Sequence, residues 1–307
     1  MRVFVTGATG FVGKAIVKAL LKREHEVVGL VRDAKKANAL EKLGVTLVVG
    51  DMLEPASYEH VVPTVDGVIH AAQYPIQGRF TKQKIGQMEQ ADILMTRTLS
   101  QACLQHNKTF VYTSSTLTYG DHADRWITEQ EPLHAPPIAE GHEQLVKELL
   151  PLHRDQHLHV IIIAPGWVYG PGGLFKQSFY DTQQKGQLSV FGAGKNYWSP
   201  IHVDDLAAAY ALAVESEAYG EIYNVVDDQP LSQREIVNLF TDAMGVKRVG
   251  SMPPWFLKLL LGGPLVDSLV ISFRVKNEKV KQALGWQPRY ATFKEGIPVV
   301  VKELKMK

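Results

Sequence analysis

Short apolar runs alternate with longer amphipathic stretches over the first half of the chain. Nearly every position in each run is apolar, a pattern typical of strands that are buried on both faces of a parallel sheet. The predicted strands span residues 3–6, 27–31, 45–49, 65–70, 109–113 and 160–164. Between them, residues 12–22, 85–104 and 145–152 carry apolar side chains at helical spacing. This alternation predicts an α/β fold, a Rossmann-type doubly wound parallel sheet between two layers of helices.

The pattern changes after residue 163, where glycine and proline become frequent and the predicted helices become shorter. We therefore expect residues 1–163 to form a Rossmann dinucleotide-binding domain and residues 164–307 to form mainly a smaller, irregular substrate-binding region. A strand near residues 221–226 is expected to return to the sheet. The apolar segment 255–271, which Gly262-Gly263-Pro264 interrupts, is expected to cover a hydrophobic substrate pocket or to belong to the core.

The composition narrows the class of partner. The formal net charge is +1, from 33 basic and 32 acidic residues, so no overall field attracts nucleic acid or an anionic membrane, and a small-molecule substrate is expected. Met1 leads directly into the first predicted strand, so no signal peptide is expected, and no apolar run reaches the roughly 18 to 20 residues of a membrane span. Cys103 is the sole cysteine and lies in an apolar helical stretch, which predicts a buried thiol in a reducing cytoplasm. His153, His157 and His159 lack an accompanying carboxylate cluster and are interpreted as surface residues, so no metal site is expected.

A glycine-rich turn follows the first predicted strand and leads into the first predicted helix. In this context Gly7 permits a sharp turn, Gly10 lets the backbone approach a pyrophosphate, and Gly13 lets the helix pack closely on the sheet. The diphosphate would lie at the helix N-terminus, where unpaired N–H groups and the helix dipole favour an anion. The alternative is a turn that binds no ligand. The residues assigned to the cofactor on this turn are Gly7, Thr9, Gly10, Phe11, Val12 and Gly13.

Arg32 follows the second predicted strand, where proteins that prefer NAD usually carry an acidic residue for the ribose 2'-hydroxyl. A guanidinium at this position matches the 2'-phosphate of NADP, and Lys35 and Lys36 follow closely. The sequence therefore predicts NADP(H) in preference to NAD(H). The alternative is that Arg32 is a solvated loop cation facing Asp33.

With these residues in place, the chain resembles the short-chain dehydrogenase/reductase superfamily, in its extended or atypical branch with NAD-dependent epimerases and dehydratases. The resemblance covers nearly the whole chain and rests on ordered blocks at residues 7–13, 50–52, 66–72, 111–120, 164–172, 202–207, 223–225 and 284–288. It implies further cofactor contacts from Asp51, Met52, Ala71, Ala72, Thr113, Pro165, Gly166 and Val168. It also implies a homodimer formed through the helices near 85–104 and 141–152. The Asp204-Asp205 pair that opens the helix after His202 is interpreted as an N-cap.

In the family, a Ser or Thr four residues before a Tyr-Gly pair hydrogen-bonds the reacting oxygen, a role that the resemblance gives to Ser115. A cap on the backbone at the end of the fifth strand is the alternative. The family's Tyr-xxx-Lys pair is missing, because its positions fall on Ile138 and His142, or on Glu140 and Gln144 with a shorter loop. The pattern occurs only at residues 290–294, where the family's sequence pattern is structural.

The leading functional hypothesis is an NADP(H)-dependent oxidoreductase acting on a small carbonyl or alcohol that Ser115 orients. Aromatic residues between 167 and 198 favour an apolar or aromatic substrate over a sugar nucleotide. Loss of the tyrosine leaves open whether His142 or Glu140 supplies the proton, whether water does, or whether hydride chemistry has been abandoned. Two other hypotheses remain: an NADP(H)-binding sensor or scaffold without turnover, and an epimerase or lyase that uses the cofactor transiently.

Overall fold

The computed structural model describes residues 1–306, and its centre is a sheet of seven strands that all pair in parallel. The strands are β1 (Arg2–Thr6), β2 (Glu26–Val31), β3 (Thr46–Val49), β4 (Gly67–His70), β5 (Thr109–Thr113), β6 (Val160–Pro165) and β7 (Glu221–Val225). Their order in the sheet is β7-β6-β5-β4-β1-β2-β3. The chain therefore reverses its direction of travel between β1 and β4, and this reversal creates a crevice at the carboxyl ends of those two strands. The predicted Rossmann-type doubly wound sheet is confirmed.

Within residues 1–306, nine helices have seven or more residues. They are α1 (Phe11–Lys22), α2 (Lys82–Gln105), α3 (Glu140–Gln156), α4 (Val203–Glu215), α5 (Gln233–Met244), α6 (Pro254–Leu261), α7 (Gly263–Leu269), α8 (Glu278–Leu284) and α9 (Phe293–Met306). Helices α1 and α4 pack together on one face of the sheet, and α2 and α3 pack together on the other. The sheet is thus covered on both faces, which explains why its strands are apolar at nearly every position.

Shorter elements connect these parts. Helical turns lie at Ala34–Ala37, Asn38–Glu41, Pro55–Ser57, Glu59–Thr64, Thr116–Tyr119, Gly173–Phe175, Lys176–Asp181 and Thr182–Gln184. Four pairs of short strands join Trp126–Ile127 to Arg274–Val275, Trp167–Tyr169 to Pro200–His202, Val190–Phe191 to Ser251–Met252, and Tyr197–Trp198 to Leu231–Ser232. These pairs surround a second apolar core, rich in aromatic side chains, which belongs mainly to the part of the chain after residue 164.

The division of the chain into two regions at residue 163 stays a prediction. Elements from both sides of this residue build the same parallel sheet and the helices that cover it. Strand β7 pairs with β6 along its whole length, and helix α4 packs against α1 beside the glycine turn. The later segment therefore supplies part of the Rossmann fold as well as the second core.

Helix α3 is longer than its apolar pattern predicted. The pattern covered residues 145–152, whereas the helix begins at Glu140 and continues through Pro151 to Gln156. Its end is set by His157, which adopts a left-handed conformation (φ 63°) and donates its N–H to the carbonyl of His153 at 2.9 Å. The helix therefore ends four residues later than predicted, since an internal proline removes a single N–H donor without ending this helix.

The predicted N-cap at Asp204-Asp205 is wrong. The side chain of His202 caps α4, because its Nδ1 accepts the N–H of Asp204 at 3.2 Å. Asp205 is buried and its carboxylate accepts the N–H groups of Arg289 and Tyr290 at 2.9 and 3.0 Å. Asp205 therefore anchors the segment after α8 to helix α4, a long-range contact that sequence spacing alone does not reveal.

Candidate functional site

The glycine turn, residues 7–13, lies at the point where the sheet order reverses. Gly7 has φ +70°, and a Cβ on it would lie 2.6 Å from the carbonyl oxygen of Ala71. A Cβ on Gly13 would lie 2.0 Å from the carbonyl oxygen of Gly7, closer than atoms can approach. Both positions thus exclude a side chain, and the turn is held against the end of β4 on one side and the start of α1 on the other.

The turn leaves the N-terminus of α1 accessible. Gly10 is exposed and extended (φ −72°, ψ 175°), donates its N–H to the carbonyl of Gly7 at 2.8 Å, and brings no side chain to cap the helix. Thr9 beside it is exposed as well, and Phe11 and Val12 are half-buried. An uncapped helix start beside a backbone-lined cradle fits a pyrophosphate, because its N–H groups are unpaired donors and the helix dipole is positive there.

Phe11 connects the glycine turn to residues 170–173, which follow the short strand Trp167–Tyr169. Its ring fills the space where side chains on Gly170, Gly172 and Gly173 would stand, since a Cβ on each would lie 2.5–2.9 Å from the ring. The close approach fixes the start of α1 against residues 170–173.

Arg32 stands at the end of β2 and is exposed. Asp33 does not pair with it: this carboxylate accepts the N–H of Lys35 at 2.9 Å and lies 3.8 Å from Nζ of Lys36. Within residues 1–306 no hydrogen bond or ion pair engages the Arg32 guanidinium. The group is therefore available to an anion that arrives from solvent.

Asp51 and Met52 follow β3 and are half-buried. The Asp51 carboxylate accepts the N–H of Leu53 at 2.9 Å, and the backbone N–H of Asp51 donates to the Ser57 hydroxyl at 3.1 Å. These bonds hold the segment as a tight turn at the same edge of the sheet as Arg32, where the resemblance places the adenosine.

The end of β4 is held by a chain of hydrogen bonds that determines the protonation of His70. Thr96 donates its hydroxyl proton to the carbonyl of Asp92 at 2.7 Å, so at 3.1 Å it must accept the N–H on Nε2 of His70. His70 Nδ1 is then unprotonated and accepts the hydroxyl of Thr6 at 2.7 Å, while Thr6 accepts the N–H of Ala72 at 3.2 Å. Burial lowers the pKa of His70 to about 3, so the ring stays neutral and holds Ala72 in place.

This chain of hydrogen bonds predicts that the loss of the Thr6 hydroxyl destabilises the fold. Thr6→Val keeps the shape of the side chain but leaves the N–H of Ala72 and Nδ1 of His70 without partners, and we expect a loss of about 2–3 kcal/mol in the free energy of unfolding. Urea denaturation measures it. The matched control is Thr46→Val, on the exposed edge of β3, for which we expect a change within about 0.5 kcal/mol. Equal losses in the free energy of unfolding for the two substitutions would refute the stabilising role of these hydrogen bonds.

The residues at the end of β5 differ in their contacts: Thr113 bonds to neighbouring elements, whereas Ser115 is partly accessible to solvent. Thr113 donates its hydroxyl to the carbonyl of His70 and accepts that of Tyr210, both at 2.7 Å, so it joins β5 to β4 and α4. Ser115 is half-buried, and its oxygen accepts the N–H of Leu117 at 3.1 Å. The two interpretations of Ser115 are compatible, because a hydroxyl that accepts this capping bond keeps its own proton to donate to a substrate oxygen. Ser114 is buried, and no bond to its hydroxyl forms within residues 1–306.

Pro165, Gly166 and Val168 lie where β6 ends. A Cβ on Gly166 would lie 2.1 Å from the carbonyl oxygen of Ser199, and the carbonyl of Pro165 accepts the hydroxyl of Thr116 at 3.2 Å. The structure therefore brings the ends of β1, β4, β5 and β6 to one edge of the sheet, which is where ligands bind in folds of this class. Tyr290, the tyrosine of the Tyr-xxx-Lys pattern at residues 290–294, donates its backbone N–H to the carboxylate of Asp205, and its ring lies 4.5 Å from that of His202.

The turn before α3 and the first turn of α3 bring Ile138 and His142, respectively, to a small cavity against α2. His142 is half-buried, and its Nδ1 lies 2.8 Å from the hydroxyl oxygen of Tyr112 on β5. Burial lowers the pKa of His142 to about 4, so the ring is neutral near pH 7. Glu140 and Gln144 are exposed. We call this space the α2–α3 cavity, and its lining residues are Met88, Glu89, Asp92, Ile138, Gly141 and His142.

Sequence reasoning missed Asp92, a nearly buried carboxyl in this cavity. Its Oδ1 accepts the N–H of Tyr74, two residues beyond Ala72. Burial, together with the nearby carboxylate of Glu89, raises the pKa of Asp92 to about 7 against the opposing effect of the Tyr74 N–H. A signal was present in the sequence, because Asp92 stands between Met88 and Met95 on the apolar stripe of α2, where an acidic residue is unusual.

Helix α6 carries exposed apolar residues. Trp255, Phe256, Leu259 and Leu260 are all exposed. The loop that leaves Ala72 reaches this helix, since Phe80 donates its N–H to the carbonyl of Leu261 at 2.9 Å. Across residues 1–306, every helix falls short of the length or the apolar character that crossing a bilayer requires.

The doubly wound sheet and the glycine turn at its point of reversal define a Rossmann-type α/β protein. Comparison with family models agrees, because the model "NAD dependent epimerase/dehydratase family" matches residues 3–226. The chain belongs to this family, as its ordered sequence blocks predicted.

Curated relatives include several reductases. The chain is 28% identical to the 2-alkyl-3-oxoalkanoate reductase of Stenotrophomonas maltophilia over 265 residues, which cover 81% of this chain and 77% of the relative. It is 26% identical to the 3-diazoavenalumate denitrifying reductase of a Streptomyces species over 306 residues, covering 97% and 99%. Among solved structures, a human epimerase family protein with NADPH superposes with a TM-score of 0.82 at 19% identity, covering 98% of this chain and 99% of that one. This structural similarity supports the fold.

Proposed function

We propose that the chain binds NADP(H) and reduces the carbonyl of a small apolar or aromatic substrate, or oxidises the corresponding alcohol. The observation that carries this proposal is the glycine turn, whose Gly7 and Gly13 leave room for backbone alone beside the uncapped start of α1. That cradle would hold the pyrophosphate through N–H groups, and a nicotinamide would supply the hydride when bound. The rest of the cofactor would be lined by Asp51, Met52, Ala71, Ala72, Thr113, Pro165, Gly166 and Val168.

Arg32 supports the choice of NADP(H) over NAD(H), because the guanidinium is exposed and unpaired within residues 1–306 where a 2'-phosphate would lie. The exposed apolar side chains of α6 support an apolar substrate. Two relatives support a reductase, since one is named a 2-alkyl-3-oxoalkanoate reductase and the other a 3-diazoavenalumate denitrifying reductase.

The proposal is tested by following NADPH oxidation with a panel of aliphatic, aromatic and β-keto carbonyl compounds. Ser115→Ala is expected to lower kcat about 10- to 100-fold with an unchanged Kd for NADPH, because the developing negative charge on oxygen loses one hydrogen bond worth about 1.5–3 kcal/mol. Ser114→Ala is the matched control and should leave kcat nearly unchanged. No turnover across the panel would refute the oxidoreductase, and equal rates for wild type and Ser115→Ala would refute the role of Ser115.

A second candidate function is a nucleotide-binding sensor or scaffold without turnover. It is favoured by Ile138 and His142, which stand where the family's proton-donating pair is expected, with His142 bonded to Tyr112. NADPH binding without oxidation, together with a partner that binds only in its presence, would support it. Product formation without net NADPH consumption would support an epimerase or lyase. A cytoplasmic homodimer that pairs through α2 and α3 is part of the proposal, and light scattering tests the dimer.

A further inference from the structure

The α2–α3 cavity contains no obvious proton donor at the two positions where the family resemblance predicts one. Ile138 has no ionisable group. His142 is neutral near pH 7, and its Nδ1 is occupied by the hydroxyl of Tyr112 at 2.8 Å. A reductase with this cavity needs another group, because a carbonyl oxygen that becomes a hydroxyl must gain a proton.

Asp92 is the carboxyl that the cavity holds in a fixed position. Its backbone carbonyl accepts the hydroxyl of Thr96, and its Oδ1 accepts the N–H of Tyr74 at 3.1 Å. Within residues 1–306 no hydrogen bond to Oδ2 forms, so this oxygen is the one that can carry a proton into the cavity. The bond to Tyr74 places Asp92 beside the segment that follows Ala72, at the end of β4 that borders the crevice.

The surroundings of Asp92 raise its pKa, so that much of the carboxyl carries a proton near pH 7. The titratable groups close to Asp92 are Glu89 on its own helix, His142 on α3 and Tyr112 on β5. His142 is neutral near pH 7 and the carboxylate of Glu89 raises the pKa of Asp92, so only the N–H of Tyr74 favours the Asp92 carboxylate. No lysine or arginine is among the six residues that line the cavity. Burial accordingly raises the pKa of Asp92 to about 7.

We propose that Asp92 donates the proton that completes carbonyl reduction, a role that rests on the reductase function proposed above. A reduced nicotinamide, when bound, would supply a hydride, with its electron pair, to the carbonyl carbon. The carbonyl π electrons form a new O–H bond with the proton from Oδ2 of Asp92, so the products are an alcohol, the oxidised nicotinamide and the Asp92 carboxylate. Water returns a proton to the carboxylate after each turnover.

Asp92→Asn tests this role, because the amide oxygen can still accept the N–H of Tyr74 while the acidic proton is lost. We expect kcat to fall about 100-fold with an unchanged Kd for NADPH, at the lower end of the range for general acid catalysis. In the wild type, kcat should fall as the pH rises through about 7, because the acid form of Asp92 is consumed. The variant should lack that dependence. Glu89→Gln is the matched control, since it removes the other cavity carboxylate and keeps an acceptor for the N–H of Gly141.

Infrared difference spectroscopy on the cofactor-free protein gives a second measurement that does not depend on turnover. Asp227, whose pKa burial raises to about 8, contributes a protonated carboxyl band of its own in every variant. The band that Asp92 contributes should disappear as the pH rises through about 7 in the wild type and at a lower pH in Glu89→Gln, because the Glu89 carboxylate raises this pKa. The Asp92 band should be missing from Asp92→Asn. An Asp92 that is ionised throughout this range overturns the proposal, as does an active wild type whose rate is unchanged in Asp92→Asn. A wild type that titrates as expected but reduces no carbonyl overturns the proposed reductase function, and with it the donor role.

Discussion

Gly13→Ala is expected to weaken NADPH binding by about 100-fold or more. The new methyl group would lie 2.0 Å from the carbonyl oxygen of Gly7, so either the turn or the start of α1 must move. Such a displacement misaligns at least two backbone N–H donors, and a hydrogen bond to a charged group contributes about 1.5–3 kcal/mol. Isothermal titration calorimetry with NADPH measures the loss.

The matched control is Gly86→Ala, in α2, because nothing lies within 4 Å of a Cβ at this position. We expect this variant to bind NADPH as the wild type does and to gain slightly in stability, since alanine favours helix by about 1 kcal/mol over glycine. Circular dichroism establishes that both variants are folded. A folded Gly13→Ala protein with wild-type affinity would contradict the assignment of the glycine turn to the pyrophosphate.

Arg32→Asp is expected to reverse the preference between the two nicotinamide cofactors. The substitution removes a charge-assisted contact to the 2'-phosphate, worth about 1.5–3 kcal/mol, and replaces it with repulsion. We expect the affinity for NADPH to fall about 100- to 1000-fold. The affinity for NADH should stay the same or rise, because a carboxylate at the end of the second strand can accept the ribose 2'-hydroxyl.

Lys42→Asp makes the same change of charge at an exposed residue ten positions further along the chain. It should leave the ratio of the two affinities nearly unchanged at physiological ionic strength, because screening weakens interactions beyond about 8 Å. If Arg32→Asp and Lys42→Asp shift the ratio equally, the effect is one of overall charge and Arg32 does not recognise the phosphate.

The sheet could be predicted from sequence because burial on both faces leaves a strong local signal. Runs such as 27–31 and 109–113 are apolar or β-branched throughout, and the observed strands begin or end within two residues of every predicted run. The glycine turn was equally readable, since backbone crowding at Gly7 and Gly13 admits no other residue. Cys103 is buried, as its apolar surroundings predicted.

The side-chain arrangement of the candidate site could not be predicted in the same way. The contact between Tyr112 and His142 joins residues 30 positions apart, and that between Tyr74 and Asp92 spans 18. Such contacts depend on how helices pack on the sheet, which periodicity does not specify. The capping role of His202 was missed for a related reason: the carboxylate of Asp205 is satisfied by Arg289 and Tyr290, 84 and 85 residues away.

The central claim is that the backbone at the start of α1 binds the paired phosphates of NADP(H). Calorimetric titration of folded, cofactor-stripped protein with NADPH and with NADH tests it most directly. The proposed function predicts saturable binding at one site per chain, tighter for NADPH than for NADH. Absence of heat and of saturation with both nucleotides would contradict it.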